Sequence, residues 1–176
     1  MSVTSLSTYD PELKPGAKNA IEVCLRVEKD QSIYILTDRK TLSVGRALED
    51  AARNVSSNVV FHILEDHVER PAKALPDSLM LPLESTEICI YCVFPQQGEL
   101  TSRQQFVRRI EALGIRYAHM VGITEDIMCQ GMRADFLKVD EGSKRLLQRA
   151  QVAKKIVVKS RHGTDMVATF NPDYKW

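Results

Sequence analysis

The sequence has no apolar run near the ~20 residues that a membrane-spanning helix needs. Its start, Met-Ser-Val-Thr-Ser-Leu-Ser, lacks the basic and apolar stretches of a secretory signal. There is no G-x-G-x-x-G and no G-x-x-x-x-G-K-[ST], so no phosphate cradle is announced. No G-x-S-x-G elbow and no H-E-x-x-H occur either. A strong charge excess is also missing. Twenty-four Lys and Arg against 23 Asp and Glu leave +1, which speaks against a dedicated nucleic-acid binder. Cysteines are few, at four, and only Cys89-Ile-Tyr-Cys92 has C-x-x-C spacing. Without a second such pair, a four-cysteine zinc site is not indicated. These absences together imply a cytoplasmic protein with reduced thiols, no membrane contact and no nucleic-acid partner.

What is present is ordinary for a folded domain: 176 residues, 44% hydrophobic and 27% charged. That length suits one domain. Residues 1–14 read as a loose leader and 15–176 as a single α/β domain. Pro15 is placed to open a helix, with Ala17, Ala20, Ile21, Cys24 and Leu25 at helical spacing. Ser32 to Thr37, Val59 to Leu64 and Ile88 to Phe94 read as strands, the last apolar on both faces as a central strand would be. Leu42 to Val55 carries a second helical stripe, and residues 68–86, with three prolines, predict a loop holding at most one short helix. Thr101-Ser-Arg-Gln104 has the form of a capping box before a helix that Gly114 ends. Ile115 to Met120 predicts a fourth strand, Thr124 a capped short helix ending at Gly131, and Phe136 to Ala150 a long amphipathic helix. Lys155–Ser160 and Met166–Phe170 predict a hairpin around His162-Gly163. The alternation implies a Rossmann- or flavodoxin-like, mostly parallel sheet with helices on both faces. The closing hairpin is antiparallel and expected at one edge of that sheet.

In such sheets ligands sit beyond the carboxyl ends of the strands. The polar residues there are Thr37 and Asp38, Glu65 to His67, Gln96 and Gln97, and His119. Each has a plainer reading: Asp38 as a helix cap, Glu65-Asp66-His67 as a solvated strand end, His119 as a half-buried, hydrogen-bonded histidine. Cys89 and Cys92, three apart on a strand, point to opposite faces and read as structural thiols, not a redox pair. Charge is divided along the chain: residues 1–100 carry 10 basic and 15 acidic side chains, residues 101–176 carry 14 and 8. The basic excess lies mainly between Lys138 and Arg161. It reads either as a solvated face or as a patch for an acidic peptide or partner, with Lys155, Lys159 and Arg161 as its candidates.

The segment Arg116-Tyr-Ala-His-Met-Val-Gly-Ile-Thr-Glu-Asp-Ile-Met-Cys-Gln-Gly-Met-Arg-Ala-Asp135 resembles the aminopeptidase T-type family of thermophilic metalloaminopeptidases. Gly16 to Leu25, Thr37-Asp38, Gly45 to Leu48, Leu64 to Asp66 with Arg70-Pro71, and Gly163 to Phe170 fit the same likeness. The resemblance covers nearly everything from Pro15 onward, but only the family's N-terminal, non-catalytic domain. The metal ligands of that family lie in a following domain, so no catalytic residue, metal ligand or cofactor carries over. The resemblance implies a catalytically inactive, truncated aminopeptidase-like module. It would bind a peptide or a biosynthetic partner enzyme, for instance a precursor peptide in a peptide natural-product pathway. Its candidate contacts are Asp38, Asp66, His67, Gln96, Gln97, His119, Lys155, Lys159 and Arg161. Self-association into a homodimer is also implied. The alternative is the N-terminal structural or dimerisation domain of a full-length metalloaminopeptidase. A small-molecule enzyme built on Asp38, Asp66 and His119 has no converging motif behind it.

Overall fold

A computed structural model describes residues 9–171. Within the stretch that reads as one domain, the fold separates into two compact units, residues up to Ala134 and residues from Asp135 onward. Most of the expected leader lies outside the described residues. Helical structure begins ahead of Pro15, because the Asp10 carboxylate accepts from the Glu12 N–H and starts a 3-10 turn at Pro11–Leu13. Leu13 is fully buried.

The first unit is an α/β fold with a Rossmann-like parallel sheet. Strands β1 (Ile33–Thr37), β2 (Val59–Ile63), β3 (Ile88–Cys92) and β4 (Arg116–His119) lie in the order β2-β1-β3-β4, all parallel. Every residue of β1 and β3 is buried, as continuous apolar runs at the centre of a sheet require. One face packs Ile33, Ile35, Ile90 and Cys92 against α1 (Lys14–Lys18, continued by a π-type stretch Asn19–Cys24), α2 (Leu42–Arg53) and α5 (Glu125–Cys129). The other packs Tyr34, Leu36, Cys89 and Tyr91 against Leu79 of α3 (Asp77–Met80), Leu83, and Phe106 and Ile110 of α4 (Leu100–Leu113). Cys89 and Cys92 thus serve opposite cores, as their offset demands. Burial pushes both thiols up, Cys92 to about 12.

Three local expectations are corrected. The proline-rich stretch holds two adjoining short helices, α3 and a 3-10 turn at Leu81–Ser85, which bury Leu79 and Leu83 over the sheet. Helix α4 starts at Leu100, so Thr101 is not its cap; Glu99 stands at that position but turns its carboxylate to Arg70 instead of the helix. The short helix capped by Thr124 stops at Cys129, ahead of Gly131. Gly114 does end α4 with φ 67°. Two glycines mark close approaches: a Cβ on Gly45 would lie 2.8 Å from Thr37, and one on Gly16 would lie 2.3 Å from the Met128 carbonyl oxygen.

The second unit contains α6 (Phe136–Gln151) and the strands β5 (Lys155–Lys159) and β6 (Asp165–Thr169). The hairpin is antiparallel as expected, but it forms a two-stranded sheet of its own and not an edge of the parallel sheet. None of α6, β5 or β6 contributes a buried residue. Val157 faces Val167, and the flanking pairs are Ile156 with Ala168 and Val158 with Met166. Phe170 N–H donates to the Lys154 carbonyl and Ser160 N–H to the Thr164 carbonyl. Antiparallel pairs alternate between bonded and non-bonded. Ile156/Ala168 and Val158/Met166 are therefore the bonded pairs. The amides and carbonyls of Lys155, Val157 and Lys159 on one strand, and of Asp165, Val167 and Thr169 on the other, point outward from the hairpin.

Candidate functional site

The strand order reverses direction between β1 and β3, and the crevice beyond their carboxyl ends is the place where such sheets bind ligands. Here the crevice is occupied by the protein's own charges. Asp38, directly after β1, has no exposed surface. Its Oδ1 accepts from the Thr41 N–H (2.8 Å) and hydroxyl (2.7 Å), and its Oδ2 accepts from the Phe94 N–H (2.8 Å) and from Arg70 Nη1 (2.5 Å). The Thr41 hydroxyl also lies within hydrogen-bond reach of the Cys92 carbonyl, so its single proton has two alternative acceptors, Asp38 and that carbonyl. Arg70 holds Glu99 through Nε (2.8 Å) and Nη2 (2.5 Å), and donates to the Phe94 carbonyl (2.6 Å). Glu65 accepts more weakly from Arg70 at 3.4 Å.

The electrostatics follow from that geometry. Hydrogen bonding to Glu99 is the largest influence holding the Arg70 guanidinium protonated, with Asp38 adding to it against the cost of burial. Burial works against ionised Glu99, but Arg70 and the N–H groups of Ala72 and Gln96 outweigh it and hold the carboxyl below its ordinary range. A paired, hydrogen-bonded charge cluster of this kind joins the ends of two strands to the loops that follow them. Both Asp38 oxygens are fully engaged in it.

Beside the cluster, Arg39 N–H donates to Glu65 (3.0 Å) and its guanidinium to Asp66 (2.7 Å), with both Arg39 and Asp66 exposed. His67 lies in a chain of side chains. His62 Nδ1 is 3.0 Å from His67 Nε2, and His67 Nδ1 is 2.9 Å from the Ser78 hydroxyl. His62 Nε2 is buried and has no hydrogen-bond partner among the described residues. Desolvation, and secondarily His67, lower the His62 pKa. Gln96 and Gln97 lie exposed after β3. His119 is exposed at the end of β4, not half-buried, with its ring near Tyr117 (5.4 Å) and Tyr91 (5.9 Å). Lys155, Lys159 and Arg161 belong to the hairpin unit, where all three are exposed.

Thus Asp38, Asp66 and His67 lie at the ends of neighbouring strands, whereas Gln96, Gln97 and His119 follow β3 and β4. Sequence reasoning missed Arg70, Glu99, His62 and Ser78 as parts of this region. Arg70 and Glu99 carry no spacing signal, since a proline-rich loop and a helix start bring them together from 29 residues apart. Near this end of the sheet lies a pocket of about 140 Å³, lined by Lys40, Thr41, Ser43, Ile123, Thr124 and Glu125 among others. That is below the ~300–1,000 Å³ typical of small-molecule sites. A larger cavity of about 530 Å³ lies between α1 and α2, beside a Tyr9 hydroxyl that donates to Asp50 (2.5 Å). It has charged walls at Lys14, Lys18, Glu22 and Asp50. Among the described residues no cluster of three or more His, Cys, Asp or Glu could hold a metal ion, and no helix is long and apolar enough to cross a membrane. No protein-family model matches the chain, and no curated protein matches it.

Proposed function

We propose that this chain is a catalytically inert, aminopeptidase-like binding module that holds an extended acidic peptide along the outer edge of β5. The observation that carries this reading is the make-up of that edge. Lys155, Val157 and Lys159 present outward-pointing amides and carbonyls, and among the described residues no strand pairs with them. An added strand would gain main-chain hydrogen bonds there, and the lysines would select acidic side chains directly opposite. Arg161 extends the same charge into the turn. The engagement of Asp38 with Arg70 supports the same reading, because both oxygens of that buried carboxylate are already hydrogen-bonded within the protein. A precursor peptide awaiting modification by a partner enzyme is the ligand class that the family likeness favours.

The test is calorimetric titration of the full chain with a peptide alternating Glu and Val, beside the same peptide with Lys for Glu. An aminopeptidase assay with added Zn²⁺ or Co²⁺ runs in parallel. Binding of the acidic peptide alone, lost in Lys155→Glu/Lys159→Glu and unaccompanied by cleavage, is the expected result. Equal binding of both peptides, or release of amino acids, would overturn it. A second reading, the N-terminal structural domain of a full-length metalloaminopeptidase, is favoured by the exposed apolar residues of α6. Leu137 is 61% exposed and Leu146 67%. A following domain would cover them.

A further inference from the structure

The other edge of the hairpin has a different character. We infer that β6 pairs antiparallel with β6 of a second copy of this chain, making a continuous four-stranded sheet β5-β6-β6-β5 across a two-fold axis. The outward-pointing backbone groups of β6 belong to Asp165, Val167 and Thr169, as its pairing with β5 dictates. A two-fold axis at Val167 brings each outward-pointing residue against another. Val167 meets Val167 of the second copy, and Asp165 meets Thr169 of the second copy. Each is then a bonded pair exchanging both N–H···O contacts, with no unmatched residue.

Side chains agree with that register. On one face Met166 comes beside Ala168 of the second copy, extending the apolar strip of Ile156, Val158, Met166 and Ala168 across the axis. Met166 is 52% exposed and Val158 38%. On the other face the charges alternate. Lys159 pairs with Asp165 in the same hairpin at 3.3 Å, and Asp165 meets the uncharged Thr169 of the second copy, beyond which lies that copy's Lys155. The same operation on β5 gives the opposite result. A two-fold axis at Val157 would set Lys155 against Lys159 of the second copy twice, and like charges directly opposite are destabilising. Lysines at both ends of an edge strand are a known means of refusing a second sheet. The two edges therefore divide the work: β5 repels its own kind and β6 accepts it. This surface is separate from the peptide edge and stands whether or not any peptide binds.

The test is sedimentation equilibrium of the full chain over a concentration series, with three variants. Val167→Pro removes an outward N–H at the axis without removing a bond inside the hairpin, since an edge position tolerates proline. It is expected to leave a monomer. Val157→Pro makes the same change on β5 and is expected to leave the dimer intact. Thr169→Asp guards against misfolding as an explanation. The new carboxylate faces Lys155 within its own hairpin, an attractive pair, but faces Asp165 of the second copy, a repulsive one. It is expected to weaken the dimer about fivefold or more while raising hairpin stability. A wild-type chain that stays monomeric throughout the series would overturn the proposal. So would equal effects of the two proline variants, or a Thr169→Asp dimer as tight as wild type. Peptide binding in Val167→Pro, measured alongside, reports separately on the β5 edge.

Discussion

Arg70 is the side chain on which the strand-end geometry turns. It is 7% exposed in its side chain, and it neutralises Asp38 and Glu99, at 0% and 5%. Replacing it by methionine keeps most of the volume but leaves two buried carboxylates without a counter-charge. Breaking a buried pair by removing one partner costs about 3–5 kcal/mol. Arg70→Met is expected to lose that much in urea denaturation, with Arg39→Met as the exposed control at under ~1 kcal/mol. Equal losses would show that the buried cluster carries no special weight. His62 makes a second residue-scale prediction. Its pKa is lowered by desolvation first and by His67 second. The unfolded chain takes up a proton near pH ~6.5, while the folded histidine resists it. The unfolded state then binds more protons, so stability falls as the pH drops below about 6.5 and is full above it. His119, lowered mainly by desolvation, contributes in the same direction. Urea midpoints between about pH 7.5 and 5.5 should show the decline, and His62→Asn should flatten part of it. A midpoint unchanged across that range would refute the assignment.

At the scale of elements, the close approach of α1 to α5 gives the clearest expectation. A methyl group on Gly16 would meet the Met128 carbonyl oxygen at 2.3 Å, against backbone and not a flexible side-chain tip. Gly16→Ala should therefore destabilise the fold by about 1–3 kcal/mol despite the better helix propensity of alanine. Gly142→Ala, in α6 with nothing within 4 Å of the added carbon, should be neutral or stabilising by thermal melt. The elements themselves were readable where one periodicity ruled. Ile88 to Cys92 is apolar on both faces and proved fully buried, and Thr124 caps its helix through the Ile127 N–H. The start of α4 was not readable, because Glu99 satisfies a long-range arginine that no local pattern announces. The same holds for the His62–His67–Ser78 chain, assembled from a strand, the loop that follows it and a short helix. The hairpin was readable as a hairpin but not as a separate sheet. Strand partners beyond a turn are fixed by tertiary register, and a two-stranded β5-β6 has the same local sequence signals as an edge pair.

For the molecule as a whole, the distribution of buried residues separates what holds the fold from what the fold presents. Both hydrophobic clusters draw only on residues up to Met132, and no described residue from Asp135 onward is buried. The first unit carries two covered sheet faces and the Arg70 cluster. The second carries a helix and a hairpin on which Leu146, Val157 and Val167 are each at least half exposed. A lone two-stranded hairpin is marginal in water, so the strand additions proposed above, a peptide on β5 or a second copy on β6, would each add to its order. The prediction is that a chain ending at Ala134 folds alone. Its urea midpoint should match that of the first unit within the full chain, with a stability change of roughly 0.5 kcal/mol or less, as for other surface changes. It should neither dimerise nor bind the acidic peptide. The full chain at low concentration should show a separate, non-cooperative loss of hairpin structure ahead of the main transition, followed by circular dichroism or amide exchange at Val157 and Val167. That early loss should move to higher urea as protein concentration rises, because pairing of β6 is linked to the folding of its strand. One cooperative transition independent of concentration, or a truncated chain that fails to fold, would show that residues 135–171 belong to the same folding unit and that their exposed surface is not an assembly surface.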